Sequence, residues 1–247
     1  MELKVLTLNF WLLPQPLSID NEKRIEKFLS FVKKEDPDII FLQEVWLKSY
    51  LKYLKKGLKN YFIYHGRNRF YSPYNKSGLV TFSKIKAEKS KLNIFPQRIK
   101  FNIVESIAKK GFLKTKIKLG NKEISLINTH FYWPLTKKQE EIDVEQLNFI
   151  KEKTKGENIV LGGDLNMDIK KFDESNDNYF NRDDEKTFTY AYHNKYVRRQ
   201  LHMAEQINRK IDYILARSDN EVKINAKVVN PIIVSDHFPL VGKVKIM

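Results

Sequence analysis

Carboxylates, amides and histidines stand at intervals along this sequence, most of them just after an apolar run: Asn9, Glu44, Asn128 and His130, Asp164 and Asn166, Asp212, and the pair Asp236-His237. These residue types suit one kind of chemistry. Carboxylate and amide oxygens hold hard divalent cations, and a histidine kept in one tautomer by a carboxylate takes up a proton near neutral pH. Singly, none of them says much: Glu44 or Asp164 alone reads equally well as a solvated loop carboxylate or a helix cap, and a lone His130 as a packed histidine. The chain has no cysteine, which excludes a disulfide framework, a thiolate metal site and a cysteine nucleophile. Any cation is then held by oxygen or imidazole, which favours Mg²⁺, with Mn²⁺ or Ca²⁺ as alternatives, over structural zinc.

Rigid elements must carry such groups to one point, and in α/β architectures strand ends do this. Leu3, Val5, Leu6, Leu8 and Phe10 form a strand pattern that the Pro14-Gln15-Pro16 loop ends. Asp20 or Asn21 then caps a helix with Ile25, Phe28, Leu29 and Val32 on its apolar face, closed by Pro37. A buried strand follows over Asp38 to Val45, and then a second amphipathic helix with Leu47, Leu51, Leu54 and Leu58 on one stripe. From Tyr61 to Thr129 the pattern is strand-rich, with a hairpin of Phe112–Leu119 and Glu123–Asn128 around Gly120-Asn121. Thr136-Lys137-Lys138-Gln139 reads as a capping box opening a helix to about Lys153. Strands are expected at Asn158–Gly162, Lys210–Ala216, Val222–Val229 and Leu240–Ile246, and the acidic, Asn-rich stretch Asp173–Glu185 reads as a solvated loop.

Two successive blocks of strands and helices predict a four-layer α/β sandwich, two mixed β-sheets packed face to face with helices on both outer faces. At 247 residues and 42% hydrophobic, with no linker or repeat, a single domain over 1–247 is expected. Met1-Glu2-Leu3-Lys4 runs straight into an apolar segment without the pattern of an export signal, and no apolar run approaches the roughly 18 to 20 residues that span a bilayer. The expectation is a soluble, cytoplasmic monomer. A formal charge of +15 predicts attraction to nucleic acid or an anionic membrane surface, the plainer alternative being a solvated lysine-rich exterior.

In order along the chain, Thr7-Leu8-Asn9-Phe10-Trp11, Leu42-Gln43-Glu44-Val45, Asn128-Thr129-His130, Gly162-Gly163-Asp164-Leu165-Asn166-Met167, Arg209-Lys210-Ile211-Asp212-Tyr213 and Ser235-Asp236-His237 resemble the motif series of the endonuclease/exonuclease/phosphatase superfamily. The resemblance covers nearly the whole chain and implies the fold and a phosphodiester substrate. A phosphodiester repels nucleophiles, so a hard cation must neutralise its oxygens. By resemblance Glu44 is the central metal ligand, with Asn9 beside it and Asp236 contributing directly or through water. His237 is then the base that activates water and Asp212 the carboxylate that fixes its tautomer. Asp164 and Asn166 align the water and bind a non-bridging oxygen, and His130 donates to the phosphate or protonates the leaving oxygen.

The superfamily holds nucleases, inositol phosphatases and phospholipases, so the fold does not choose the substrate. Asn9-Phe10-Trp11-Leu12-Leu13-Pro14, Glu44-Val45-Trp46, Ser77-Gly78-Leu79 and the Thr129-His130 pair are similar to motifs of neutral sphingomyelinases. Glu105 and Lys110-Gly111 are similar to an Asp and Lys-Gly pair near the catalytic centre of those enzymes, with Glu replacing Asp; a surface ion pair flanking a turn is the alternative. Trp11, Phe131, Tyr132 and Trp133 follow catalytic strands, and such rings could hold choline, rest on lipid, stack bases or simply pack. Lys110, Trp11, Tyr132 and Trp133 are the substrate-binding candidates. The expected substrate is a phospholipid-type phosphodiester, sphingomyelin first, with weak peripheral attachment to an anionic membrane. Nucleic acid comes second, with Thr187-Phe188 standing where nucleases often have Thr-Trp, and a binding protein that lost catalysis third.

Overall fold

The computed structural model describes residues 2–67, 72–96, 108–133, 141–197 and 207–247. Glu105 and the expected capping box at Thr136 to Gln139 lie outside them. Strand alternation sets the layers. In β1 (Glu2–Leu12), Leu6, Leu8 and Phe10 join one apolar cluster while Leu3 and Val5 join another on the opposite face, as a two-residue side-chain repeat requires. β2 (Ile39–Val45) divides in the same way, with Ile40 and Leu42 on one face and Ile39 and Phe41 on the other.

Two six-stranded sheets result. The first adds β3 (Phe62–Gly66), β4 (Lys76–Ser83), β11 (Val222–Val228) and β12 (Leu240–Ile246), in the order β11-β12-β1-β2-β4-β3. The second contains β5 (Ala87–Ile94), β6 (Gly111–Leu119), β7 (Lys122–His130), β8 (Ile159–Asp164), β9 (Asn181–Arg182) and β10 (Asp212–Arg217), in the order β5-β6-β7-β8-β10-β9. Both sheets are mixed, since β1 with β2 and β7 with β8 run parallel and the other pairs antiparallel. At the open margin of each sheet, lysines face one another across strands: Lys89 opposite Lys116, Lys91 opposite Lys114, and Lys223 opposite Lys245.

Helices cover the outer faces, which makes the four expected layers. α1 (Asn21–Glu35) and α2 (Lys48–Gly57) bury Ile25, Phe28, Val32, Leu51 and Leu54 against Leu6, Leu8 and Phe10 of β1. α3 (Ile142–Lys153) and α4 (Ile169–Asn176) bury Leu147, Ile150 and Phe172 against Ile127, Leu161 and Tyr213 of the second sheet. A third cluster, with Val5, Phe41, Leu126, Val160, Ile214 and Leu240, fills the space between the sheets. There the ring of Phe41 rests on Gly162, where an added Cβ would lie 2.3 Å from it. Removing that ring, Phe41→Ala, would cost about 3–5 kcal/mol.

Two local expectations are corrected. Asp20 precedes α1 in the left-handed conformation with no side-chain cap bond, and the Asn21 amide instead donates to Leu13 O and to the Tyr50 hydroxyl. The α1 amino terminus is thus tied to the β1 loop and to α2 rather than capped by its own carboxylate. Nor is Asp173–Glu185 a solvated loop: α4 runs into it, Phe180 is buried, and Asp183 is wholly buried against Lys210 Nζ at 3.1 Å. A buried lysine supplies the counter-charge to the carboxylate whose polarity had suggested exposure.

Candidate active site

The inner faces of the strands turn from apolar to polar toward one end of the sandwich. Val5 gives way to Thr7 and Asn9, Phe41 to Gln43, Leu126 to Asn128 and His130, and Gly162 to Asp164. Register then lines these ends up. β1 pairs Asn9 with Gln43 beside Glu44, β7 pairs His130 with Asp164, and β10 pairs Asp212 with that same Asp164. The loop before β12 brings in Ser235, Asp236 and His237. Below the site, Gly163 lets β8 approach Thr129 O, since a Cβ there would come within 2.2 Å of it.

The predicted residues meet through direct contacts. Asn9 Nδ2 donates to Glu44 Oε1 at 3.1 Å and to Asp164 Oδ2 at 3.0 Å. The Asn166 amide nitrogen donates to Asp164 Oδ1 at 2.9 Å, and its side chain to Phe131 O at 2.9 Å. His237 Nδ1 lies 2.7 Å from Asp212 Oδ2, and its Nε2 faces Asp164 Oδ2 at 3.7 Å. His130 Nε2 is 3.5 Å from Asp164 Oδ2 and 3.9 Å from Glu44 Oε1, with Lys110 Nζ at 3.1 Å. Asp236 Oδ1 accepts from Ser235 Oγ, which also donates to Asn9 O at 2.6 Å.

Charge is concentrated here under low solvation. Burial, then the negative charge of Asp236, raises the Glu44 carboxyl above its ordinary value against the opposing pull of Lys110. Burial and the charge of Asp212 likewise push Asp164 up. Burial works against the protonated form of His237, but Asp212 and Asp164 outweigh it and hold that imidazole well above 6.5. Burial, Lys110 and His237 all push His130 well below 6.5, so the two histidines differ in charge at neutral pH. A set of carboxylates forced together in this way is relieved by a cation. One geometric grouping able to hold an ion is Asp164, Asp212 and His237, whose ligand atoms lie within 4.8 Å of one another. His237 Nδ1 and Asp212 Oδ2, however, are already committed to each other. Glu44 keeps 19% of its side chain exposed.

Several supports escaped the sequence reading. Arg24 is buried on α1, and its guanidinium donates to Phe10 O and Trp11 O at the end of β1, to Asn21 Oδ1, and to Val234 O just before the Asp236 loop. It falls on the same helical stripe as Asn21 and Phe28, so periodicity could have flagged it. Thr189 Oγ1 accepts from the amide nitrogens of Ile211 and Asp212, both at 3.1 Å, whereas Phe188 beside it is exposed. Asn194 Nδ2 donates to Ser235 O and Asp236 O. Glu44 itself is left-handed (φ 56°), and Asn75 holds the following turn by donating to Val45 O at 3.1 Å. Of the substrate-binding candidates, Lys110 lies inside the site, Trp11 and Tyr132 are buried, and Trp133 is half-buried.

The sequence model of the Endonuclease/Exonuclease/phosphatase family matches residues 6–237. The chain belongs to that family. A relative in Drosophila melanogaster, named "Putative neutral sphingomyelinase", is 25% identical over 252 residues, covering 92% of this chain and 54% of that protein. The chain thus spans about half the length of that relative. Sphingomyelinase C from Streptomyces griseocarneus superposes with a TM-score of 0.82 at 19% identity, covering 98% of this chain and 99% of the other. Danio rerio TDP2 complexed with single-strand DNA product gives 0.74 at 17% identity, covering 99% of each chain. A Staphylococcus aureus beta toxin variant with bound magnesium ions gives 0.77 at 19% identity, covering 98% and 99%. These likenesses establish the deoxyribonuclease I-like α/β sandwich for this member of the family.

Proposed function

We propose that this chain is a divalent-metal-dependent phosphodiesterase carrying out sphingomyelinase-like hydrolysis of a phospholipid-type phosphodiester. The observation that carries the reading is the His237–Asp212 hydrogen bond set beside the Asp164–Asn9–Glu44 chain. It puts a carboxylate-oriented base within a few ångströms of oxygen donors suited to a hard cation.

Glu44, Asn9 and Asp236 would hold the cation, Mg²⁺ first. Their oxygen chemistry fits it, and a positive charge would offset the burial and the Asp236 charge that together raise Glu44. When bound, the cation neutralises phosphate oxygens and the charge that grows on them during attack. His237, its Nδ1–H kept on Asp212, would receive a proton from water at Nε2 once a bound cation offsets the carboxylates that hold the imidazole protonated in the metal-free protein. Asp164 and Asn166 orient that water and a non-bridging oxygen. Lys110, whose ammonium donates to the neutral His130 at Nε2, would donate to the oxygen that gains negative charge, and His130 would join it as a donor only when substrate opens that contact.

The phospholipid choice is supported by the name of the Drosophila relative, and the +15 charge suits an anionic membrane surface. A second reading, nucleic-acid cleavage, draws on the same charge and on the likeness to TDP2. The test assays purified protein, with Mg²⁺ and with chelator, on sphingomyelin, lysophosphatidylcholine, abasic duplex DNA and bis-p-nitrophenyl phosphate. Chelator-sensitive cleavage of a lipid substrate supports the first reading. Cleavage of DNA with no action on either lipid rejects it, and wild-type turnover by His237→Ala or Glu44→Ala rejects the assigned mechanism.

A further inference from the structure

Of the four rings that could grip a quaternary ammonium, Phe131 is fully buried and the other three already face a cation of the protein itself. Arg24 lies 5.1 Å from the Trp11 ring centroid, Lys110 5.7 Å from that of Tyr132, and Arg209 4.6 Å from that of Trp133. Trp11 and Tyr132 are buried as well, which leaves Trp133 as the candidate with accessible surface. A second cation brought to an occupied ring gains less than from a bare one and is repelled by the first.

Arg209 is placed to meet a substrate. Trp133 lies three residues after His130, while the Arg209 backbone pairs with Tyr190, whose ring stands edge-on to His237 at 5.3 Å. The Arg209–Trp133 contact therefore joins the strand end bearing one site histidine to the segment packed on the other. Arg209 is half-buried, and among the described residues no carboxylate forms an ion pair with it. Its positive field reaches the Tyr190 hydroxyl, where it opposes the upward push of burial and of Asp236. A guanidinium lying on an indole keeps its edge N–H groups available to fork onto a phosphate or carboxylate.

We propose that Arg209, stacked on Trp133, determines specificity by binding an anionic group on the arm of the substrate beyond the scissile phosphate, so that such diesters are preferred over choline esters. This rests on the phosphodiesterase reading above and narrows it, keeping the sphingomyelinase-like framework but not its choline headgroup.

The test uses the whole chain with Mg²⁺ and three p-nitrophenyl phosphodiesters whose second arm is an ethyl group ending in carboxylate, hydroxyl or trimethylammonium. The expected order of kcat/KM is carboxylate, then hydroxyl, then trimethylammonium, with about a tenfold spread between the extremes. Arg209→Gln collapses the spread and Arg209→Glu inverts it, while Arg209→Lys retains part of it. Equal rates on all three esters, a preference for the choline ester in the unaltered protein, or a spread unchanged in Arg209→Gln overturns the specificity assignment alone. Absence of metal-dependent turnover on every ester overturns the hydrolase reading, and the assignment falls with it.

Discussion

His237 and Asp212 are joined by a 2.7 Å hydrogen bond in which both side chains are almost fully enclosed, and the amide nitrogen of Asp212 is itself held by Thr189. The orientation of the His237 ring is thus fixed through two further links of the chain. Asp212→Asn keeps the size of the side chain but removes the charge that favours a protonated imidazole. We expect kcat to fall by on the order of 10³-fold or more with the far-ultraviolet dichroism unchanged. Turnover within a few-fold of wild type would show that Asp212 does not orient the base.

In metal-free protein the two site histidines titrate on opposite sides of 6.5, His237 above and His130 below. Asp212→Asn brings His237 down and leaves His130 low. Because the folded value of His237 lies above the unfolded one, its pairing stabilises the metal-free fold fully below about pH 6.5, and that contribution fades as pH rises through the folded value. Ring-proton NMR titration of single-histidine variants reads both values. Coincident titrations near 6.5 would contradict the electrostatic picture.

Glu44 bears a carboxylate that burial and Asp236 disfavour while no cation is present. In chelator, Glu44→Gln is therefore expected to melt at or above the wild-type temperature, whereas Mg²⁺ raises the melting temperature of wild type and leaves that of the variant unchanged. Thermal melts in Mg²⁺ and in chelator make the comparison. An equal Mg²⁺ shift in both proteins would place the cation elsewhere, with the Asp164, Asp212 and His237 group the next candidate.

Arg24→Met removes donors from Phe10 O, Trp11 O and Val234 O in a dry environment. Leaving these carbonyls unpaired costs roughly 3 kcal/mol or more, read by urea unfolding. Arg24→Lys recovers only part of this, because one ammonium cannot reach all the acceptors. A loss below about 0.5 kcal/mol would mean that water replaces the guanidinium without penalty.

The end of the sandwich that gathers the candidate site was legible because each contributing strand advertises it. In β1 the inward positions read Leu3, Val5, Thr7, Asn9, and the change from apolar to polar marks where the sheets open. The same change appears in β2, β7 and β8, so the strand pattern and the site pointed to the same place. Periodicity put Arg24 on the buried stripe, but residue type argued against it: an arginine on a helix is usually solvated, and only the carbonyls gathered from Phe10, Trp11 and Val234, the last 210 positions away, make it an interior residue. Asp183 and Lys210 hid in the same way, each looking like surface until the other is brought against it. The left-handed turn at Glu44 had no signal, since nothing in Gln43-Glu44-Val45 supplies a glycine or asparagine that usually marks such a backbone.

The lysines that oppose one another on β5 and β6, and on β11 and β12, repel across the ladder, an effect that Glu157 and Glu123 beside Lys114 and Lys116, and Glu221 beside Lys223, offset in part. Their benefit lies between molecules. An outermost strand carries unpaired backbone groups that invite a second copy to dock, and clustered ammonium groups turn such a visitor away. Docking of a second copy along these margins is therefore expected to be easiest where salt or a polyanion masks those charges.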